Sequence, residues 1–367
     1  MPGNPPPEEV LPESVRPEPE EVLVIKDLHV TVHSGAAAAV RGVTLTVRPG
    51  EIVGLVGESG SGKTLTCRAA LGVLPPGVAI AGGKIAFAGQ DVTDLPPRRW
   101  ERLHGAHIGA VFQDPASYLN PNLTVGSQLT EVLRVKGRLT RARARDKAIE
   151  LFTSVGLHQA GRVFHQVPAE LSGGMLQRVM IAIAISCDPE LLIADEATTA
   201  LDVTIQAEII ELIKDLRDKR GLAVLFVSHD LAVIRELCDR VVVFYAGEVV
   251  ESGPVGEIIE RPRHPYTQAL LRVASVGDFQ RRELEVIAGQ PPQVGARITG
   301  CRFAERCPSA VAACRTADIA LARLGAAHEA RCVRVNDPGL PAASAPAPAV
   351  AEHDTAATAA DPEMATR

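Results

Sequence analysis

The sequence of 367 residues predicts an α/β fold with a mainly parallel sheet, on the strength of three observations. Short apolar strands alternate with longer helical segments through the middle of the chain. A glycine-rich loop stands where a strand runs into a helix. Hydrophobic residues make up 46% of the chain but aromatic residues only 3%, so the core is aliphatic. Together these features predict a sheet whose two faces are both covered.

The predicted elements follow in a regular order along the chain. Residues 22–32 and 43–47 alternate apolar and polar side chains, as strands of an antiparallel layer do. Residues 51–56 form a strand that feeds the glycine-rich loop, and 65–74 form the next helix. The other predicted strands are 84–88, 108–112, 191–194 and 223–227, with a hairpin of 241–245 and 248–251 across Ala246-Gly247. The other predicted helices lie within 125–156 and at 175–186, 204–219 and 231–238.

Composition and charge exclude several classes of protein. The net charge of −6 and the pI of about 6.0 argue against nucleic acid as the main ligand, which favours a basic face. No apolar run approaches the roughly 20 residues that span a bilayer. Residues 1–20 lack the apolar stretch of a secretory signal, and with 337–367 they are expected to be disordered tails. We therefore expect a cytosolic protein, or one that partners hold at a membrane.

The glycine-rich loop fits G-x-x-x-x-G-K-[ST] at every fixed position. Its residues are Gly57, Glu58, Ser59, Gly60, Ser61, Gly62, Lys63 and Thr64. Glycines let backbone N–H groups turn toward phosphate oxygens, and the helix N-terminus adds a favourable dipole. Lys63 would contact the β- and γ-phosphates, and Thr64 would offer its hydroxyl to Mg²⁺. A chance glycine-rich turn is the alternative, but the strand before the loop and the helix after it favour phosphate binding.

A pair of carboxylates narrows the choice among kinases, GTPases and ATPases. The apolar strand 191–194 ends in Asp195 and Glu196. Asp195 would hold Mg²⁺ through water, and Glu196 is placed to polarise an attacking water. Either residue alone could be a solvated acid at a strand end. Both together, in a chain with the glycine-rich loop, indicate nucleotide hydrolysis.

Four further motifs resemble those of ABC ATPases. Residues 171–178, Leu-Ser-Gly-Gly-Met-Leu-Gln-Arg, resemble the signature segment that precedes the Asp-Glu strand. Gln113 resembles the Q-loop residue, 200–202 (Ala-Leu-Asp) the D-loop and His229 the switch histidine. The resemblance covers roughly residues 22–255. It implies a P-loop NTPase core with an antiparallel β layer, and a helical subdomain at about 114–187 that carries the signature.

The resemblance implies an ATP site that two subunits share. Ser172 and Gly174 open a helix and so form a second anion site, which would close on the γ-phosphate held by another subunit. His229 would contact the γ-phosphate and orient water, and Gln113 would reach Mg²⁺. Only the ATP-bound state offers γ-phosphate contacts, so hydrolysis would release the closed pair.

A narrower resemblance points to the ATPases of oligopeptide and dipeptide importers, a group that also serves nickel and other small solutes. It rests on 112–115 (Phe-Gln-Asp-Pro), 119–121 (Leu-Asn-Pro), 264–267 (His-Pro-Tyr-Thr), 269–271 (Ala-Leu-Leu) and 300–308. It divides the chain into an ATPase domain at 21–260 and a C-terminal extension at 261–336.

The sequence departs from the pattern of this group at two positions. Val32 replaces the usual aromatic residue against adenine, which predicts weaker or less base-selective binding, and Ala197 replaces a proline after the Asp-Glu pair.

The extension carries four cysteines in the pattern Cys301-x5-Cys307-x6-Cys314-x17-Cys332. Four thiolates suit tetrahedral zinc or an iron–sulfur cluster, although the tight pairs of structural zinc sites do not occur here. Members of the resembled group carry a cluster in this extension, which favours [4Fe-4S] with zinc as the alternative. Four reduced thiols without a ligand are a third interpretation. Cys67, Cys187 and Cys238 are expected to behave as small core residues.

The leading hypothesis is therefore the ATPase subunit of a peptide importer, peripheral on the cytoplasmic side of the cell membrane. It implies two transmembrane permease subunits, a second ATPase subunit that is more often a paralogue than a copy, and an extracytoplasmic peptide-binding protein. The alternatives are a soluble ABC ATPase acting on nucleic acid or ribosomes, an importer of nickel or another solute, and a P-loop kinase. The acidic balance and the single ATPase unit lead us to expect no nucleic-acid partner.

Overall fold

A computed structural model gives the fold of residues 21–33, 35–198, 202–275 and 287–337. Residues 1–20 and 338–367 of the predicted tails lie outside the described residues, as do Ala200 and Leu201 of the predicted D-loop. Two sheets organise the described part of the chain, one of four strands and one of eight. One aliphatic core lies between the smaller sheet and one face of the larger sheet, and a second lies between the opposite face of the larger sheet and the helices.

The smaller sheet is the predicted antiparallel layer. Its strands are β1 (Leu23–Val32), β2 (Ala37–Val47), β4 (Ala79–Phe87) and β5 (Gln90–Asp91), in the order β2-β1-β4-β5. β1 pairs antiparallel with both β2 and β4, and its inward residues Leu23, Ile25 and Leu28 have no exposed surface. β2 and β4 begin earlier than predicted because pairing with β1 extends them through small residues of low strand propensity.

The larger sheet is parallel at its centre, as predicted. Its strands are β3 (Ile52–Val56), β6 (Ile108–Val111), β7 (Leu191–Asp195), β8 (Ala223–Val227), β9 (Arg240–Tyr245), β10 (Glu248–Pro254), β11 (Ala322–Arg323) and β12 (Glu329–Ala330). The order is β11-β12-β10-β9-β3-β8-β7-β6, and β6, β7, β8, β3 and β9 run parallel. β9 and β10 form the predicted hairpin, in which Ala246 and Gly247 both have positive φ.

Helices cover the sheets and form a separate packed group before β7. The bounds are α1 (Lys63–Ala70), α2 (Pro97–Leu103), α3 (Pro115–Tyr118), α4 (Val125–Val135), α5 (Arg141–Ser154), α6 (Ala160–Val163), α7 (Gly173–Ala184), α8 (Val203–Arg220), α9 (Leu231–Leu237), α10 (Val255–Glu260), α11 (Pro265–Ser275) and α12 (Ala313–Thr316), with a 3₁₀ turn at Pro168–Glu170. α5 packs against α4, α6 and α7. Over the ranges that the structure describes, we find no helix with the length and apolar character to cross a membrane.

A buried carboxylate joins the end of the chain to the large sheet. Glu251 of β10 has no exposed surface, and its two oxygens accept the backbone N–H groups of Arg263 (2.6 Å) and His264 (2.9 Å). His328, just before β12, lies 2.8 Å from the same carboxylate through Nε2. Because a buried carboxylate without partners would be costly, these contacts fix the start of α11 and the approach to β12 onto β10.

Candidate functional site

The residues predicted for the site gather at one edge of the large sheet. The loop 57–64 follows β3, Asp195 ends β7, His229 follows β8 and Gln113 follows β6. These four strands run parallel, so their carboxyl ends meet at the same edge. In open parallel sheets this edge is where ligands bind.

The glycine-rich loop has a backbone that only glycine adopts readily. Gly57 has a φ of 146°, and a Cβ there would lie 2.2 Å from the carbonyl oxygen of Phe244 in β9. Gly62, with a φ of 106°, caps α1. The turn of the β9–β10 hairpin supports the loop, since the N–H of Gly247 donates to the Ser61 carbonyl at 2.9 Å. The loop therefore lies against β9 and β10 with its chain curled around the start of α1.

Lys63 places a cation inside this loop. The residue is only 6% exposed, and its ammonium donates to the carbonyls of Gly57 (2.7 Å) and Glu58 (3.0 Å) and to Ser61 Oγ (3.4 Å). Burial lowers the pKa of Lys63, while the nearby carboxylates of Glu196 and Asp195 oppose that shift. A buried ammonium ringed by loop carbonyls can exchange those contacts for stronger ones to phosphate oxygens.

Thr64 and Asp195 meet where a magnesium ion would be expected. Thr64 Oγ1 donates to Asp195 Oδ1 at 3.1 Å. Burial raises the pKa of Asp195, the hydrogen bond from Thr64 lowers it, and the charge of Glu196 raises it further. A hydroxyl and a carboxylate are the hard oxygen donors that Mg²⁺ prefers, so the residues present fit that ion.

Glu196, the residue after β7, has a strained backbone conformation. Its φ is 53°, in the left-handed region, and its N–H donates to the Val227 carbonyl at 3.1 Å. His229 Nδ1 lies 3.8 Å from Glu196 Oε2, and the His229 side chain is 61% exposed. Ala197, at the position where the resembled group has proline, is buried. The pairing with β8 thus holds the Glu196 carboxylate beside the glycine-rich loop with an exposed imidazole near it.

An open cavity of about 500 Å³ lies above the loop. Besides Glu196 and most of the loop, it is lined by Val32, His33, Ala39, Val78 and Val294. Val32 was expected on the base side of a nucleotide, and His33 is its neighbour in the chain. Val294 was not expected there, because it lies far along the chain with no motif around it, and 52% of its surface is exposed.

The structure places the signature residues at the start of α7, outside this cavity. Ser172 is exposed and caps α7, where its Oγ accepts the N–H of Met175 at 3.3 Å. Gly174 is buried, and a Cβ there would lie 2.7 Å from Ile205 Cγ2 of α8. Gln113 is exposed after β6. Among the described residues that line the cavity, none of these three is included.

The four C-terminal cysteines come together, as their clustering suggested. Cys301, Cys307, Cys314 and Cys332 line one small cavity of about 10 Å³, and all are free thiols. Backbone N–H groups of Phe303, Ser309, Val311 and Arg334 each donate to one of the four sulfurs. Burial raises the pKa of Cys301 to about 11 and also raises that of Cys307 and Cys332. In the part of the chain described here, no group of three or more His, Cys, Asp or Glu is arranged to hold a metal ion.

The three other cysteines stand apart from this group. Cys67 and Cys238 are buried, as expected of small core residues, whereas Cys187 is only half-buried. Burial raises the pKa of all three thiols, so none is set up as a reactive thiolate.

Two family models match the chain. The model described as ABC transporter matches residues 40–199, and that described as oligopeptide/dipeptide transporter, C-terminal region, matches residues 250–314. The second region includes Cys301, Cys307 and Cys314.

Curated relatives match over most of their length. The chain is 43% identical to a probable peptide ABC transporter ATP-binding protein of Sinorhizobium fredii, over 88% of this chain and 97% of that protein. It is 42% identical to the dipeptide transport ATP-binding protein DppD of Bacillus subtilis, over 80% and 89%. It is 44% identical to the probable D,D-dipeptide transport ATP-binding protein DdpD of Escherichia coli, over 80% and 91%.

Solved structures share the nucleotide-binding part of the fold. The ATP-binding cassette MJ0796, as a dimer in a post-hydrolysis state bound to ADP and Pi, superposes with a TM-score of 0.58 at 29% identity, covering 64% of this chain and 98% of that one. CbiO1 of Clostridium perfringens, part of an ABC transporter complex, gives 0.57 at 25% identity, covering 65% and 90%. Together with the glycine-rich loop and the two carboxylates at the sheet edge, these matches confirm the predicted resemblance. The chain is an ATPase and belongs to the ABC transporter ATP-binding proteins of the oligopeptide/dipeptide family.

Proposed function

We propose that this chain hydrolyses ATP to power the import of peptides across the cytoplasmic membrane. The observation that carries the proposal is the meeting of Asp195 and Glu196 with Lys63 and Thr64 at one sheet edge, in a chain that continues into an oligopeptide/dipeptide transporter region. The relatives are named for peptide or dipeptide transport, which supports peptides over nickel as the solute.

The geometry supports roles for the loop, Thr64, Asp195 and Glu196, and the family resemblance supports those of Gln113 and His229. The amides of 57–64 and the ammonium of Lys63 would hold the phosphates, and Thr64, Asp195 and Gln113 would hold Mg²⁺. Bound Mg²⁺ supplies charge neutralisation at the phosphates. Glu196 accepts a proton from the attacking water, and His229 contacts the γ-phosphate and orients that water.

A second ATPase subunit completes the site in this proposal. Ser172 and Gly174 lie at the start of α7, a helix of 12 residues, away from the cavity that holds Lys63. The exposure of Ser172 leaves the start of α7 able to face the γ-phosphate of another subunit. The solved structure of MJ0796 bound to ADP and Pi is dimeric. We favour a paralogue over a second copy of this chain as the partner.

The remaining partners are membrane-bound or extracytoplasmic. An importer needs a path for its solute, which two transmembrane permease subunits would supply, and a peptide-binding protein would deliver the solute. The chain would sit on the cytoplasmic side as a peripheral subunit, with 21–260 as its ATPase domain, 114–187 as the helical subdomain and 261–336 as the extension.

We propose that the four cysteines of the extension, which in the described structure are not arranged as a metal site, bind a [4Fe-4S] cluster. Thiolates are the protein ligands of such clusters, and here four thiols line one cavity with a backbone N–H directed at each sulfur. A bound cluster would supply a cross-link for a segment with little regular structure. Absorbance at about 400 nm in anaerobically purified protein, together with iron analysis, tests this assignment. Colourless protein with stoichiometric zinc would contradict it.

The proposed function is tested by purifying the chain with its membrane partners and measuring ATP hydrolysis in lipid nanodiscs. Peptide with the binding protein should stimulate hydrolysis, and nickel should not. Stimulation by nickel alone would move the chain to the nickel importers. Co-purification of ribosomes or nucleic acid, without any permease, would overturn the proposal.

A further inference from the structure

Glu58, the second residue of the phosphate-binding loop, is gripped by an arginine from the extension. The two terminal nitrogens of Arg306 donate to the two oxygens of Glu58, at 2.7 and 2.9 Å. The pair is two-pronged, the geometry in which arginine and carboxylate interact most strongly. The contact joins the loop after β3 to the segment between Cys301 and Cys307.

Arg306 is itself fixed from several sides. Its side chain is only 5% exposed, and it also donates to the carbonyls of Ile287 (3.0 Å) and Ala288 (2.9 Å) and to the Tyr245 hydroxyl (3.2 Å). Its guanidinium lies 5.7 Å from the ring centre of Tyr245 and 5.9 Å from that of Phe303. A guanidinium with this many partners cannot leave Glu58 without breaking other contacts.

A second contact holds the backbone of the same loop residue. The N–H of Glu58 donates to the hydroxyl of Tyr266 at 2.8 Å, and Tyr266 is completely buried in α11. The Tyr266 ring packs on Tyr245 at 4.6 Å and on Phe303 at 5.4 Å between centres. Three of the chain's few aromatic rings thus form a rigid base under the loop. Both the side chain and the amide of Glu58 are held by residues beyond 260.

The ion pair between Arg306 and Glu58 affects how the loop can bind a triphosphate. A carboxylate beside a bound triphosphate repels it unless a cation neutralises the carboxylate. Arg306 supplies that cation and fixes where the carboxylate lies, while Tyr266 fixes the peptide plane that leads into Ser59. We propose that Arg306 is a positioning residue for nucleotide binding, which holds the phosphate loop in the conformation that accepts ATP. The proposal rests on the assignment of 57–64 as the phosphate site.

The test compares Arg306→Gln with Arg315→Gln, with nucleotide binding measured in the purified chain and hydrolysis in the complex with its membrane partners. Arg315 lies in the same extension and also pairs with a glutamate, Glu305 at 3.1 Å, but both side chains are exposed. Arg306→Gln should weaken MgATP and MgADP binding alike by about tenfold, within the range of measured couplings between sites. KM for ATP should rise by a similar factor, with kcat within about twofold of wild type, because loop positioning affects ground-state and transition-state binding equally. Arg315→Gln should change neither.

The double variant Arg306→Gln/Glu58→Gln separates the loss of charge neutralisation at Glu58 from general damage to the fold. Removing the carboxylate along with its partner abolishes the repulsion, so the double variant should bind ATP more tightly than Arg306→Gln alone. Equal or weaker binding in the double variant would overturn the proposal, as would normal affinity in Arg306→Gln or an equal loss in Arg315→Gln. Wild-type protein that fails to bind ATP would instead overturn the proposed function. Circular dichroism and thermal unfolding confirm that each variant is folded.

Discussion

The phosphate site and the C-terminal extension meet in space but differ in how their residues are arranged along the chain. The phosphate loop consists of eight consecutive residues directly after β3. The two carboxylates of the site, Asp195 and Glu196, are the last residue of the buried strand β7 and the residue after it. The extension reaches the same site through single residues, Arg306, Tyr266 and Val294, with no pattern of their own. The residues expected to do the chemistry thus lie in short contiguous motifs, while those that hold them in place are dispersed along the chain.

The largest effect is expected from Glu196→Gln. Loss of a general base costs about 10²- to 10⁴-fold in turnover, while ATP affinity should stay within a few-fold of wild type because the phosphate contacts remain. Single-turnover hydrolysis and equilibrium binding measure the two separately. Glu190→Gln, just before the other end of β7, is the matched control and should hydrolyse ATP normally. Normal turnover in Glu196→Gln would remove it as the base.

Lys63→Ala should reduce ATP affinity by about 10- to 150-fold, since a hydrogen bond to a charged group contributes about 1.5–3 kcal/mol. The ammonium lost in this variant is the cation that lies inside the loop, in contact with the carbonyls of Gly57 and Glu58. Isothermal titration with MgATP makes the measurement. Lys219→Ala removes an exposed lysine that pairs with Asp215 and should leave affinity unchanged. An affinity within twofold of wild type in Lys63→Ala would contradict the assigned role.

The extension side predicts a pH effect on stability through His264. Burial lowers the pKa of His264 to about 4, with Glu251 opposing and Arg331 adding to the shift. In the unfolded chain this histidine is protonated below about pH 6.5, whereas in the folded chain it stays neutral down to about pH 4. The free energy of unfolding therefore falls as the pH drops from about 6.5 towards 4. This residue should account for roughly 2 kcal/mol of the loss between pH 7 and pH 5.

His264→Asn tests that effect, because asparagine keeps an acceptor for the Tyr266 N–H but does not titrate. Urea unfolding at pH 7 and pH 5 should show a smaller loss of stability in the variant than in wild type. His158→Asn alters an exposed histidine and should reproduce the wild-type pH dependence. Equal losses in wild type and His264→Asn would show that the histidine is not buried in its neutral form.

The smallest effect concerns the base side of the cavity, which both regions line. With Val32 and Val294 in place of an aromatic surface, wild-type protein should discriminate weakly between ATP and GTP. Val32→Tyr should tighten ATP binding about fivefold, from about 1 kcal/mol of ring contact. Nucleotide competition measures this, with Val135→Tyr on the exposed surface as control. Strong preference for adenine in wild type would count against this interpretation.

Much of the fold followed from local patterns in the sequence. The strand at 223–227 was predicted with the bounds that it has, and the hairpin was predicted with its turn at Ala246-Gly247, because apolar runs and turn chemistry act over a few residues. Boundaries were less accurate where tertiary contacts decide. The helix predicted at 65–74 occupies Lys63–Ala70, and Gly72, with a φ of 65°, follows its end.

In the candidate site too, local motifs could be predicted from the sequence, whereas tertiary contacts could not. The loop, Asp195 and Glu196 could be predicted because phosphate and magnesium chemistry demands fixed residue types at fixed spacing. The pairing of Glu58 with Arg306 could not, since any of the chain's many arginines is chemically suited to a carboxylate and only the folded chain selects one. Val294 gave no signal at all, because one apolar residue in an irregular segment marks no ligand.

Amide hydrogen exchange of the peptide covering 57–64 tests most directly whether the extension holds the phosphate loop. Nucleotide-free wild type, Arg306→Gln and Arg315→Gln would be compared, with the signature segment 172–178 as an internal reference. Faster exchange in the loop of Arg306→Gln alone, with the reference segment unchanged, is the expected result. Loop exchange in Arg306→Gln that matches wild type would contradict the claim that the extension positions the loop.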